Sequence, residues 1–190
     1  MDEQQLDEDL MQLYCKSGDA TAFTLLYQKY KNPLYRYLIR QCRSRFSCDE
    51  LYQEVWLKMI NARERYRPTD SFKTFLFHVA HNRLIDYYRS SRNNAATSMD
   101  LAQEKLANRL NYVTTPEEEF DISHRISYVL KLIQMLPQDQ KEVFLLKQDG
   151  GLTLEEIATA TDTPIDTVNA QFRFATQKLR RGFKEVFQDG

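Results

Sequence analysis

Two early stretches of the chain carry apolar residues at helical spacing. Phe23, Leu26, Tyr27, Tyr30, Leu34, Tyr37 and Leu38 form one stripe, and Leu51, Val55, Met59 and Ile60 form a second. Recurrence at three and four residues predicts two amphipathic core helices. After them, Tyr66-Arg67-Pro68-Thr69-Asp70-Ser71 favours a loop, because Pro68 and the Asp and Ser side chains suit turns. A third helix is expected from about Phe72 to Ser91, rich in aromatics (Phe72, Phe75, Phe77, Tyr87, Tyr88), with at least one of Phe75 and Phe77 in the core. Periodicity fades through Asn93 to Ser98 and does not return before Thr114-Thr115-Pro116-Glu117-Glu118-Glu119. The pattern therefore predicts a domain over 1–95 and a flexible linker over 96–121 with a transient helix near Leu101 to Leu110. A second domain of a few packed helices follows over 122–190.

The second domain contains the clearest local motif. Thr153-Leu154-Glu155-Glu156 is a capping box, in which the Thr hydroxyl and the Glu carboxylate satisfy orphan amides at a helix start. Ten residues on, Thr163-Pro164-Ile165-Asp166 repeats the signal, with Pro164 expected at the first helical position. Two capped helices joined by Ala160-Thr161-Asp162 predict a helix-turn-helix, packed through Ile157, Ala158, Ile165 and Val168. Val168, Phe172, Ala175, Leu179 and Phe183 continue the apolar stripe, and Asn169, Arg173, Gln177 and Arg180 fall on the opposite face. Asn pairs well with adenine and Arg with guanine in the major groove, so that face suits base reading. The plainer alternative is a helical hairpin with a polar outer surface.

Composition agrees with an all-α protein of two small helical domains. The 190 residues include only five Gly and five Pro, and they are rich in Leu, Gln, Lys, Arg and Glu. No apolar run approaches the roughly 18 residues of a membrane span, and the acidic start, Met1 to Asp9, is unlike a signal peptide. Cys15, Cys42 and Cys48 are odd in number and lack C-x-x-C spacing, which argues against a disulfide framework or zinc finger and for the cytoplasm. No metal or other cofactor is expected. The net charge of −1 hides a strong asymmetry: residues 21–95 hold 14 basic and six acidic groups, while 1–20 and 96–123 are acidic and 124–190 are balanced. A +8 segment is what a polyanion-binding surface looks like in sequence, although a solvated helical surface beside acidic flanks is the competing reading.

From about Asp9 to Phe183 the chain resembles an extracytoplasmic-function (ECF) sigma factor, the small two-domain class of the sigma-70 family. Four motifs in order carry the resemblance. Asp19-Ala20-Thr21-Ala22-Phe23 with Leu26-Tyr27-Gln28-Lys29-Tyr30 is similar to the family's opening helix, and Glu50-Leu51-Tyr52-Gln53-Glu54-Val55-Trp56 to its polymerase-binding helix. Phe72 to Asn82, ending in Asp86-Tyr87-Tyr88-Arg89, resembles the promoter-melting helix. Leu136-Pro137, Glu142-Val143-Phe144, Leu152 to Ala158 and Thr167-Val168 resemble the fourth conserved region, and a linker stands where the third region would be.

The resemblance implies a non-enzymatic alternative sigma factor, with core RNA polymerase and promoter DNA as partners and an anti-sigma factor or a kinase as a possible regulator. It places polymerase contact on Asp49, Glu50, Gln53, Glu54 and Trp56. Minus-ten recognition falls on Tyr66, Arg67, Asp70, Phe72, Asn82 and Arg89, where aromatics beside basic residues suit an unpaired, stacked base. Minus-thirty-five recognition falls on Thr167, Asn169, Gln171, Arg173 and Arg180. Three features depart from the family pattern. The stretch Asn169 to Phe174 is less basic than usual. His78 and His81 stand where Arg is common, with phosphate or solvent as their expected contacts. The lead-in Ser44-Arg45-Phe46-Ser47-Cys48 lacks the usual acidic run, which raises phosphorylation at Ser47 as a switch, against an ordinary capping or loop role for that serine. Two other classes compete. A stand-alone helix-turn-helix regulator explains only residues 121–190, and a metal-dependent nuclease needs a carboxylate or His cluster that the scattered acidic residues do not supply.

Overall fold

Short polar side chains set the starts of three helices in the N-terminal half. Asp19 accepts hydrogen bonds from the amides of Thr21 (2.8 Å) and Ala22 (3.4 Å), Ser44 from Ser47 (3.1 Å), and Ser71 from Thr74 (3.2 Å). The computed structural model describes residues 3–42, 44–64, 66, 71–94 and 116–187. Among them the chain forms α1 (Glu3–Ser17), α2 (Ala20–Ile39), α3 (Arg45–Asn61), a 3-10 turn (Ala62–Glu64) and α4 (Phe72–Asn94), then α5 (Pro116–Gln134), α6 (Gln138–Gln148), α7 (Leu154–Ala160) and α8 (Ile165–Phe187). The helical content is as expected, and no described helix is long and apolar enough to cross a membrane.

Helices α1 to α4 pack around an aromatic-rich core in which Leu26, Leu34, Tyr37, Leu38, Phe72, Leu76 and Phe77 are fully buried. Tyr30 lies against Phe72 with ring centroids 5.4 Å apart, and Tyr37 meets Phe77 edge to face at 5.6 Å. Helix α1 has no counterpart in the periodicity reading, because its many acidic residues resemble a tail. It is tied down by buried Met11 and Tyr14 and by Asp7, which Lys29 holds at 2.7 Å and Tyr30 also contacts. Gly18 takes φ +72° between α1 and α2, and a Cβ there would meet the Arg63 guanidinium at 2.7 Å. Of the second apolar stripe, Leu51, Val55 and Met59 are buried, but Ile60 faces outward.

The helix-turn-helix forms as α7 and α8. Thr153 and Glu156 make the reciprocal capping box, at 3.1 Å and 2.7 Å. The turn closes as a Schellman motif, with Thr163 N–H on Ala158 O (3.0 Å), Asp162 N–H on Thr159 O (3.4 Å) and Asp162 at φ +50°. The second expected cap differs. Thr163 donates its hydroxyl back to Thr161 O (3.1 Å), and Pro164 precedes α8 and accepts from Val168 N–H (3.1 Å), so its ring presets the entry from outside the helix.

The expected linker lies mostly outside the described residues, and α5 already begins at Pro116, inside the interval given to the linker. The two halves do not stand apart. Helix α7 lies on α4, and one continuous buried cluster runs from Met11 to Val168. At the junction a Cβ on Gly150 would come 2.6 Å from Leu146 O and 3.1 Å from Phe77 Cζ, so only glycine lets the C-terminal half approach this closely.

Candidate nucleic-acid and partner interfaces

Helix α3 has two working faces. Its inner face is the buried row just described, and its outer face carries Phe46 (72% exposed), Glu50, Gln53, Leu57 (56%) and Ile60 (41%) on successive turns. Apolar side chains thus flank a polar centre on a surface that no other described helix covers. Asp49 sits beside this row, accepting from Tyr35 OH at 2.9 Å with Arg45 at 4.0 Å. Burial, then the bond to Asp49, pushes the Tyr35 phenol up, so it stays a donor. Glu54 is held by Arg83, whose Nε lies at 2.9 Å and whose Nη1 also reaches Asp86 at 3.1 Å. Trp56 was expected on this surface and is instead a core residue, boxed by Tyr27 (4.9 Å), Phe23 (5.9 Å) and Tyr52 (6.3 Å). Sequence reasoning missed Phe46, Leu57 and Ile60. The signal was present in the second set of three- and four-residue spacings along the same helix.

The second expected surface, along α4, is largely covered. Phe72, expected at a base pocket, is fully buried against Tyr30, because it opens the helix on its inward side. Tyr66 is buried edge-on against Phe75 at 5.3 Å. Asn82 places its amide nitrogen 2.9 Å from His78 Nε2, and His78 Nδ1 lies 3.0 Å from Ala160 O at the end of α7. Both contacts fit a neutral ring that donates from Nδ1 and accepts at Nε2. His81 Nδ1 is 2.7 Å from Glu142 Oε1, which also accepts from Tyr37 OH at 2.7 Å. Burial lowers the His81 pKa, but the bond to Glu142 and the charges of Glu142 and Asp162 outweigh it, leaving the group above its ordinary value. Both histidines therefore contact the C-terminal half where phosphate or solvent was expected. Arg89 is exposed, while Arg67 and Asp70 lie outside the described residues.

On α8 most of the expected arrangement stands. Val168 and Ala175 are buried, Phe172 stacks on Phe144 at 6.4 Å, and Asn169, Arg173, Gln177 and Arg180 are exposed along one side, with Thr167 exposed on a different flank of the helix. Gln171 is half-buried on the flank shared with Thr167, so these two of the expected minus-thirty-five residues do not share the face of Asn169 and Arg173. The Arg173 guanidinium rests over the Phe174 ring at 5.2 Å, which steadies a long side chain while leaving its donors in solvent.

Comparison with known proteins matches the two halves separately. Residues 26–94 match the model for Sigma-70 region 2, and residues 126–179 match that for Sigma-70, region 4. The chain is 31% identical over 183 residues to the ECF RNA polymerase sigma-E factor of Haemophilus influenzae, covering 94% of this chain and 96% of that one. It is 24% identical over 190 residues to the RNA polymerase sigma-H factor of Pseudomonas aeruginosa, covering 98% of each. Among solved structures, the sigma factor RpoE from Bartonella quintana, in complex with the anti-sigma factor NepR, superposes with a TM-score of 0.70 at 18% identity. That match covers 87% of this chain and 98% of the other and agrees with the two-part helical fold.

Proposed function

The chain belongs to the sigma-70 family, in its extracytoplasmic-function class, and from that premise we propose how its surfaces divide the work of an alternative sigma factor directing promoter-specific transcription initiation. Core RNA polymerase docks on the outer face of α3. Leu57, Ile60 and Phe46 supply the apolar anchors, and Asp49, Glu50, Gln53 and Glu54 supply the polar and charged contacts. Minus-thirty-five DNA lies along α8, with Asn169 and Arg173 reading base edges and Arg180 on the backbone. Minus-ten DNA is held by α4 and the loop before it, through Asn82, Tyr66, Arg67, Asp70 and Arg89, with Phe72 setting the helix rather than touching the base. The protein works in the cytoplasm, beside the polymerase, and catalyses no reaction of its own.

The observation that carries this reading is the apolar outer row of α3. A stand-alone DNA-binding regulator has no use for Phe46, Leu57 and Ile60 in solvent, whereas a subunit that docks on a larger enzyme does. Run-off transcription with core polymerase tests it. Promoter-specific transcripts are expected only when the protein is added, and Leu57→Glu should abolish them while leaving DNA binding by α8 intact. Transcripts indifferent to the protein would remove the reading.

A further inference from the structure

The three cysteines are not alike. Cys15 and Cys42 are half-buried, and Cys48 is fully buried. Cys42 follows the last turn of α2, with its N–H on Leu38 O at 3.0 Å, and Cys48 lies in the first turn of α3, with its N–H on Ser44 O at 3.2 Å. Their side chains hydrogen-bond to each other across the gap between the two helices. That bond, then burial, pushes the Cys48 thiol well above its ordinary range, so Cys48 keeps its proton and donates it to the Cys42 sulfur. Lys141 of α6 lies within electrostatic reach of Cys42, and Arg45 and Asp49 within reach of Cys48. The end of α2 is firmly fastened. Arg40 Nη1 donates to both oxygens of Asp149 at 2.7 and 2.9 Å, Gln134 donates to Arg40 O at 2.8 Å, and Tyr88 OH donates to Gln41 O at 3.1 Å.

We propose that Cys42 and Cys48 form a redox-modification site, a dithiol that hydrogen peroxide closes to a disulfide and that, once closed, displaces the polymerase-docking end of α3. The inference rests on reading the outer face of α3 as that docking surface and adds what controls it. Half-exposed Cys42 is the sulfur that an oxidant reaches. Its thiolate attacks one peroxide oxygen, the O–O bond breaks, and the departing hydroxide takes a proton and leaves as water, with Cys42 oxidised to a sulfenic acid. Cys48 then attacks that sulfur. The S–O bond breaks, the S–S bond forms, and the Cys48 proton leaves with the hydroxyl as a second water. A protein or small-molecule dithiol reverses the change, supplying two electrons and two protons and ending as a disulfide itself. Such a transient bond suits a chain whose odd cysteine count argues against a permanent framework. A covalent S–S bond holds two sulfurs closer than a hydrogen bond does, so closure draws the side chains together. Beyond its first turn α3 is held by buried Leu51, Val55 and Met59, and α2 is held by Arg40 and Gln41. The movement therefore falls on the Ser44 cap and on Phe46, the exposed anchor at the start of the docking row.

The test takes the full chain in its reduced form, treats it with hydrogen peroxide and removes the excess with catalase. Peptide mapping without reductant should find Cys42 joined to Cys48, and dithiothreitol should undo the bond. Affinity for core polymerase, measured by biolayer interferometry, should fall about tenfold or more on oxidation and return on reduction. Cys42→Ser and Cys48→Ala should each bind as the reduced wild type does and ignore peroxide, whereas Cys15→Ser should respond as the wild type. Cys42→Ser alters only a half-exposed side chain, so the comparison holds even if Cys48→Ala fails to fold. Absence of a Cys42–Cys48 disulfide after peroxide overturns the proposal, and so does a disulfide that leaves polymerase affinity unchanged. A reduced chain that binds no core polymerase and gives no promoter-specific run-off is a different failure: it removes the docking reading, and the switch with it, whether or not the disulfide forms.

Discussion

Helices α4 and α8 present the same kind of sequence signal and meet different fates. Each carries an apolar stripe and, opposite it, polar residues one turn apart: His78, His81 and Asn82 on α4, and Asn169, Arg173 and Gln177 on α8. On α8 those residues point to solvent. On α4 they are taken up by Ala160 and Glu142 of the other half. Amphipathicity states which side of a helix faces away from its own bundle, and it is silent on whether a second bundle then covers that side.

The largest contrast between the two helices should appear in stability. Phe77 of α4 is fully buried, meets Tyr37 and abuts Gly150, so Phe77→Ala removes a ring from both the N-terminal core and the junction. A loss of about 3 to 5 kcal/mol is expected in urea unfolding. Phe174 of α8 is 44% exposed, and Phe174→Ala should stay within about 0.5 kcal/mol. Comparable losses in the two variants would mean that α8 is packed on something in solution and that the contrast is false.

DNA binding sharpens the same contrast. Arg173→Ala should weaken binding of a cognate promoter duplex by about 1 to 3 kcal/mol and relax preference at one base position, without changing the unfolding midpoint. Arg180→Ala should weaken all sequences alike. If Arg173→Ala also lowers every sequence equally, it is a backbone contact. Asn82→Ala should leave duplex binding unchanged and lower promoter opening, seen as reduced permanganate reactivity of promoter thymines. Full opening in that variant would take Asn82 out of the base pocket.

Helix α7 touches both members of the pair, packing on α8 and on α4, and its start is fixed by Thr153. Thr153→Ala removes the acceptor for the Glu156 amide and loosens the side chain that pairs with Lys73, so a loss of about 1 kcal/mol in unfolding free energy is expected. Thr153→Ser should restore most of it. A Ser variant as weak as the Ala variant would show that the methyl group, not the hydroxyl, matters there.

Much of this was legible in the residues. The α2 stripe, the capping box, the helix-turn-helix and the free face of α8 all follow from periodicity and short polar caps, because those interactions are local. Trp56 and Phe72 went astray for a different reason. A large aromatic in an amphipathic helix fits a core or a docking face equally well, and only the positions of Phe23, Tyr27 and Tyr30, brought in by another helix, decide it. The histidines were illegible for the same reason at longer range, since Glu142 lies 61 residues from His81 in the chain. Helix α1 was missed because its anchor is the polar Asp7, which periodicity counts as solvent-facing.

The smallest expected effect concerns the pH dependence of the α4 contact. His81 faces Glu142 from α6, which Tyr37 of α2 also contacts and beside which Lys141 stands, and Asp162 from the turn after α7, with His78 one turn away on its own helix. Burial pushes Tyr37 well above the ordinary phenol range, so it remains protonated, and burial lowers Lys141 from its ordinary 10.5. His81 has a folded pKa above its ordinary 6.5, because the bond to Glu142 and the neighbouring carboxylate charges outweigh burial. A group that binds its proton more tightly in the folded chain contributes in full below the unfolded value and loses that contribution as pH rises through the folded one. The pair should therefore support the closed arrangement most strongly below about 6.5 and fade above it. His81→Gln keeps a hydrogen-bond donor without the charge. The gap in urea midpoint between wild type and His81→Gln should be widest at pH 5.5 and should narrow by pH 8.5, with no such trend for a neutral change on the open face of α8, Gln177→Ala. A gap that is flat or widens with pH would mean that Glu142 holds a neutral imidazole, and that α4 is held by packing and the arginine contacts alone.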